Sequence, residues 1–213
     1  MPKYYTDNHL SHNNTMIFSG SGVVYTDPDT AIIRLGVQST GENLQQIQYD
    51  NAETVHKIIE ALKEYGITDI KTFQYSIDKL YDYVEGARVD RGYSVRNILE
   101  IKLKELDQVG FVIDTAVENG ANVVEFISFE VEDTDIFYLQ ALNLSILDAF
   151  EKAKSVSSLL GLEMLPVPMR IVENSSSPIP LADRYASGER MVVTPIEPGQ
   201  KEIKANVTVE FMF

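Results

Sequence analysis

Residues 70–103 carry the sequence IKTFQYSIDKLYDYVEGARVDRGYSVRNILEIKL. Apolar and polar side chains alternate in both halves of this stretch, and Gly86 lies between the halves. Alternation at period two is typical of a strand with one buried face, and glycine favours the turn between two strands. The stretch therefore predicts one long β-hairpin. Its predicted buried face consists of odd-numbered residues, namely Phe73, Tyr75, Ile77, Tyr81 and Tyr83 in the first arm and Val89, Tyr93, Val95, Leu99, Ile101 and Leu103 in the second.

The end of this hairpin is a candidate interaction surface. Its arms are longer than most strands, so we expect the tip to project beyond the sheet. Apolar and aromatic side chains crowd this tip, namely Leu80, Tyr81, Tyr83 and Val84. Exposed groups of this kind mark interfaces, with Asp82, Glu85 and Arg88 as a polar rim. The tip predicts contact with another copy of the chain, and the alternative is that the arms fold back over the protein's own helices.

Composition limits the classes of function. The chain has 213 residues, 44% of them hydrophobic, which is enough for a core in one domain or two lobes. A net charge of −14 argues against nucleic acid as a partner, because binding phosphates requires a basic surface. The sequence has no cysteine, which excludes disulfides and thiolate chemistry. It also lacks the apolar run of roughly 18 residues that a membrane-spanning helix needs.

The beginning of the chain bears on localisation. Residues 1–15 are polar, and we expect them to form a flexible tail. They lack the apolar centre of a signal peptide, so the sequence predicts a cytoplasmic protein. The alternative is an exported protein whose native signal is missing from this sequence.

Hydrophobic periodicity predicts three helices among antiparallel strands. Spacings of three and four indicate two long amphipathic helices over residues 44–65 and 136–160 and a shorter one over 107–119. Strands are predicted at 16–25 and 31–39, paired as a hairpin, at 122–132 inside a sheet, and at 202–213 with one buried face. The predicted apolar stripe of the last helix consists of Ile136, Leu139, Leu142, Ile146, Ala149, Phe150, Ala153, Val156 and Leu160. This pattern predicts an α+β fold in which antiparallel sheets pack against the helices.

Domain organisation follows from the same pattern. We expect a tail at 1–15 and a single domain at 16–213, with a division into two lobes left open. Residues 175–199 are rich in Ser, Pro and charge, which predicts a mobile loop, with a short strand at 190–194 as an option.

Three groups of residues resemble chemical sites. Gly20 and Gly22 resemble a phosphate-binding pair, but turn residues follow them instead of a helix, so a bulge or close packing is the better interpretation. His9 and His12 lie three residues apart near Asp7, but a flexible tail makes a poor metal site. His56 has no Ser or Asp partner at a suitable spacing for catalysis. The acidic residues at the end of the 122–132 strand are Glu130, Glu132, Asp133 and Asp135. They suit a hard cation, but the charge preference at a helix start explains them more simply. We therefore predict no metal, cofactor or catalytic residue.

Several short motifs recur in the order found in the SIMPL family of YggE-like proteins. They cover residues 17–213 and comprise Gly20-x-Gly22, Pro28-Asp29, a helix containing Asn51, Gly66-Ile67, Asp69-Ile70, Gly92-Tyr93, Gly120-Ala121-Asn122, Phe129, Ala141-Leu142, Asp148-Ala149, Lys152-Ala153, Leu160-Gly161, Pro198-Gly199 and Val207-x-Val209-x-Phe211. Each motif is weak alone, and their order makes the chain resemble this family. One departure is Val156-Ser157-Ser158, where relatives often continue an alanine pattern.

The resemblance implies an α+β fold without established catalytic residues. It also implies relatives that Gram-negative bacteria export, ring-like or channel-like oligomers in some of them, and links to stress tolerance, surface antigenicity and, in animals, kinase signalling. Together with the missing catalytic residues and the apolar hairpin tip, the resemblance favours a non-enzymatic, self-assembling protein that supports stress tolerance. The alternative is a module that binds a small apolar ligand or a protein partner.

Overall fold

The computed structural model describes residues 15–162, 166–174 and 196–212. The described elements, in chain order, are β1 (Thr15–Thr26), β2 (Thr30–Gly41), α1 (Leu44–Glu64), β3 (Ile70–Val84), β4 (Ala87–Leu103), a short 3-10 helix (Leu106–Gln108), α2 (Val109–Glu118), β5 (Val123–Glu130), α3 (Asp135–Leu159), β6 (Val167–Glu173) and β7 (Lys201–Met212). The α+β prediction is therefore confirmed. The chain divides into two compact units, one built on residues 27–132 and the other on β1, α3, β6 and β7.

The first of these, the four-stranded unit, is a sheet in the order β3-β4-β2-β5. β2 is antiparallel to β4 on one side and to β5 on the other. Helices α1 and α2 cover one face, where Ile33 and Leu99 of the sheet meet Ile58 of α1 and Val112 of α2, all fully or almost fully buried. This core explains why the inward residues of β2 and β4 alternate so regularly.

Helix α1 forms where its apolar spacing predicts it. The Asn43 side chain accepts a hydrogen bond of 3.2 Å from the Gln46 amide, which caps the helix start. Gly66 ends the helix at a φ of 82°, a conformation that glycine adopts without strain. The Ile67 amide then donates to the Leu62 carbonyl at 3.1 Å, and Ile67 joins the core. The sequence predicts a helix over residues 44–65, which is confirmed by the helix observed at Leu44–Glu64.

The second, the three-stranded unit, has the strand order β1-β7-β6, with α3 packed on β1. The last strand was predicted to have one buried face, and this prediction is confirmed. The buried residues of β7 are Ile203, Ala205, Val207, Val209 and Phe211. Phe211 lies between the rings of Phe18 and Phe150, with centroids 6.4 and 6.2 Å away, so aromatic packing contributes to this smaller core.

The buried stripe of α3 differs from the predicted one. The fully or nearly buried residues are small and four apart, namely Ala141, Ser145, Ala149, Ala153 and Ser157. Leu142, Ile146 and Phe150 are only partly buried, whereas Leu139 is 58% exposed. The reason is the partner strand: Gly20 and Gly22 of β1 let the helix backbone approach closely, which places small residues at the contact.

Two pairing predictions were wrong. β1 and β2 do not form a hairpin, because they belong to different sheets and both edges of β2 are occupied by β4 and β5. β5 does not lie inside a sheet: among the described residues it pairs only with β2. The second apolar face of β5 contacts a charged side chain instead: the Phe126 ring centroid lies 5.1 Å from the Arg34 guanidinium.

Some predictions fall outside the described residues. These are the tail up to residue 14 with His9 and His12, residues 175–195 of the predicted loop, and the optional strand at 190–194. Residues 196–200 are described and form neither helix nor strand.

Candidate functional site

Strand β3 forms one edge of the four-stranded sheet, and its side chains are mostly exposed. The inward face predicted for β4 is confirmed for Val95, Leu99, Ile101 and Leu103, which are all buried. The prediction for β3 was wrong, because Tyr75 is 51% exposed and Ile77 is 40% exposed. Helix α1 packs over β2 and β4 and reaches β3 at Tyr75, whose hydroxyl accepts a hydrogen bond of 3.2 Å from the Gln48 side chain. Most of this face of β3 is nevertheless exposed. An apolar row therefore faces solvent along an edge strand.

Two irregularities divide β3 into segments. The pairing with β4 shifts between Thr72 and Gln74 and again between Lys79 and Tyr81. At the first shift Phe73 turns to the other face of the sheet, where the Arg34 guanidinium lies 3.6 Å from its ring centroid. The alternation in the sequence does not reveal these bulges. Each bulge inserts one extra residue into one strand, and the type of that residue does not mark it as inserted.

The hairpin turn consists of Glu85 and Gly86. Their φ angles are 50° and 81°, and Val84 pairs with Ala87 on either side. Positive φ at both central residues is the geometry that matches the twist of the two strands. Gly86 therefore lies at the turn, as the sequence indicated.

The four predicted interface residues have different surroundings at the tip. Tyr83 is 76% exposed and Val84 is 49% exposed, whereas Leu80 is half-buried at the second bulge. The Tyr81 ring is covered on one side by the Arg88 guanidinium, 3.2 Å from the ring centroid. Arg88 was predicted as a rim residue, and its stacking on Tyr81 was missed because cross-strand register is not readable from sequence.

Ion pairs connect the two arms just below the tip. Lys79 bonds Asp90 at 2.7 Å, and Arg91 bonds Asp82 at 2.7 Å. The hydrogen bond from Lys79, with a second from the Gly92 amide, lowers the pKa of Asp90, and the hydrogen bond with Asp90 raises the pKa of Lys79. The arms are thus held in register by charge as well as by the backbone.

The face of the same sheet opposite to α1 and α2 carries a charged layer. Glu100 accepts hydrogen bonds from Arg34 at 2.7 Å and from Lys71 at 2.9 Å. The hydrogen bond from Lys71, with that from Arg34, lowers the pKa of Glu100 although its burial acts in the opposite direction. Arg34 in turn lies between the rings of Phe73 and Phe126. This layer fastens β5, β2, β4 and β3 to one another.

A cleft of about 300 Å³ opens on this charged face. Its walls include Lys71, Glu100, Lys102 and Glu132. Lys102 is paired with Glu132 at 2.5 Å, and Lys104 contacts the same carboxylate at 3.2 Å. The cleft has few apolar walls, so it does not supply the aromatic pocket that an apolar-ligand module would need.

The remaining candidate residues are solvated. His56 is exposed and lies 3.6 Å from Glu60 on the same helix. Asp133 accepts a hydrogen bond from the Asp135 amide at 3.1 Å, at the start of α3. Within residues 15–162, 166–174 and 196–212, no group of three or more potential ligands is placed to hold a metal ion. In the same part of the chain no helix has the length and apolarity required to cross a membrane.

Comparison with known proteins places this fold in a family. The sequence model of the SIMPL family, described as a protein of unknown function (DUF541), matches residues 16–211. The chain therefore belongs to the SIMPL family. It is similar to the 26 kDa periplasmic immunogenic protein of Brucella melitensis, with 24% identity over 225 aligned positions that cover 99% of this chain and 90% of the relative. It is also similar to the uncharacterised protein YggE of Escherichia coli K12, with 24% identity over 162 positions that cover 75% of this chain and 66% of YggE.

These relatives correct the predicted localisation. The proteins of Brucella melitensis and Brucella abortus that match the chain are both named as periplasmic. The prediction of a cytoplasmic protein was therefore wrong. It relied on the composition of a short polar segment, which is weak evidence beside a likeness that extends over almost the whole chain.

Proposed function

We propose that this protein is an exported, non-catalytic member of the SIMPL family that assembles with copies of itself through the tip of the β3–β4 hairpin. The observation that carries the proposal is the exposure of aromatic side chains there, above all Tyr83 at 76%. Solvent-exposed tyrosine next to Val84 loses unfavourable hydration when a partner covers it, and its hydroxyl keeps a polar contact. The names of the Brucella relatives support export.

A non-catalytic role agrees with the electrostatics of the described residues. The carboxyl groups with a lowered pKa have a cation as their first cause: Lys79 for Asp90, Lys71 for Glu100 and Lys102 for Glu132. Surface ion pairs account for these shifts, and they need no catalytic explanation. Stress tolerance is the physiological setting that the family resemblance suggests for such an assembly.

The test is the double variant Tyr81→Glu with Tyr83→Glu, measured by size-exclusion chromatography with light scattering. We expect smaller species than in the wild type, because burying two carboxylates at a contact is costly. Tyr49→Glu is the matched control, since Tyr49 is a tyrosine of α1, outside the hairpin, and its side chain is 67% exposed. Circular dichroism verifies that each variant is folded. A folded double variant with the mass of the wild type would contradict the proposed surface.

A further inference from the structure

We propose that β3 strands of two copies pair antiparallel across a two-fold axis at Ser76, so that two four-stranded sheets become one. This inference rests on the proposed self-assembly and adds a second contact, along the edge of β3, to the contact at the hairpin tip. Among the described residues no strand pairs with the outer edge of β3. Its backbone groups on that side are therefore available to another strand, and Tyr75 and Ile77 add exposed apolar area beside them.

The segment that can pair is short and locally neutral. Between the two bulges, residues 74–79 keep an uninterrupted register with β4. Asp78 and Lys79 are the charged residues of this run, so they cancel in a chain whose net charge is −14. A second copy can approach this run without the like-charge repulsion that most of an acidic surface would impose.

Side-chain chemistry selects the register. Residues directly opposite each other in an antiparallel pair share a face, so the axis must pass between two identical residues. An axis at Asp78 would place two carboxylates against each other. An axis at Ile77 would leave the Tyr75 ring opposite Lys79, whose ammonium group is already bonded to Asp90 at 2.7 Å.

An axis at Ser76 gives the exposed side chains of β3 the most favourable partners. It places Tyr75 of each copy opposite Ile77 of the other, which forms two pairs of an aromatic and a β-branched residue. It also places Gln74 opposite Asp78, an amide donor beside a carboxylate. The bulges at both ends stop the pairing after a few residues. Tyr81 and Tyr83 lie beyond the paired run, so the contact at the hairpin tip remains open to a further copy.

Single cysteines can test this register because the wild-type chain has none. Ser76→Cys is nearly isosteric, and the Cα atoms of opposite residues, about 4.5–5.5 Å apart, suit a disulfide. Ile77→Cys would place the two sulfurs on a diagonal, with Cα atoms about 7–8 Å apart. Tyr49→Cys on α1 is the control for random collision, since Tyr49 is 67% exposed.

The measurement is the rate of disulfide-linked dimer formation under mild oxidation, followed on non-reducing gels. We expect Ser76→Cys to cross-link at least about tenfold faster than Tyr49→Cys and faster than Ile77→Cys. A rate for Ser76→Cys no greater than that of either other variant would overturn the register. Light scattering on the same samples separates the two proposals: oligomers without this cross-link contradict only the β3 pairing, whereas monomers at every concentration contradict both.

Discussion

Gly22 of β1 lies directly against the Ala141 carbonyl of α3, so that a Cβ atom at Gly22 would be 1.9 Å from that oxygen. Gly20 has the same relationship with the Ser145 carbonyl, also at 1.9 Å. These distances are far below van der Waals contact, and the atoms concerned belong to the backbone of a helix, which cannot rotate away. The Gly-x-Gly pair thus allows β1 and α3 to pack closely. This agrees with the prediction from the sequence that the two glycines mark close packing.

Replacing Gly22 with alanine should destabilise the fold. We expect a loss of about 2–3 kcal/mol in the free energy of unfolding, because strand and helix must separate to accept the methyl group. Gly199→Ala is the matched control, since within the described part of the chain no atom beyond its two chain neighbours lies within 4 Å of a Cβ there. Urea denaturation measures both. Equal stability of Gly22→Ala and the wild type would show that β1 and α3 are not in close contact.

Glu100 should contribute stability that depends on pH. Its pKa is lowered by Lys71 and Arg34, so the contribution is present above the ordinary glutamate range and is lost as the pH falls through the lower pKa of the folded state. At pH 7 we expect Glu100→Gln to cost about 1–3 kcal/mol, because it leaves Arg34 without its anionic partner.

The pH profile gives the sharper check of this ion-pair layer. The difference in unfolding free energy between wild type and Glu100→Gln should shrink as the pH falls below roughly 4. Glu53→Gln is the control, since Glu53 pairs with Lys57 on the exposed surface of α1. A difference for Glu100→Gln that stays constant with pH would mean that the carboxylate charge is not the cause.

Local signals in the sequence were sufficient for much of the architecture. The cap at Asn43, the stop at Gly66 and the alternation of β7 depend on neighbouring residues, so they are readable without the fold. Strand partnership depends on distant segments, which is why the assignment of β1 to a hairpin with β2 was wrong. The stripe of α3 was predicted only in part for a related reason. Its predicted residues Ala149 and Ala153 are buried, whereas the large residue Leu139 is 58% exposed, because the glycines of β1 favour small residues at the contact.

The candidate surface could be predicted only in part. The residues at the tip were identifiable because aromatic groups beside a turn are unusual. The exposure of Tyr75 and Ile77 was not, because alternation shows which residues share a face but not whether a helix covers that face. The stacking of Arg88 on Tyr81 depends on a register that the second bulge shifts.

The molar mass of the wild-type protein as a function of concentration tests the central claim most directly. Light scattering from low to high micromolar concentration should show masses rising from the 23.9 kDa of one chain to at least twice that value. The rise should persist at high salt, because the contact is largely apolar and uses backbone hydrogen bonds. A mass that stays at one chain throughout this range would contradict self-assembly through the hairpin.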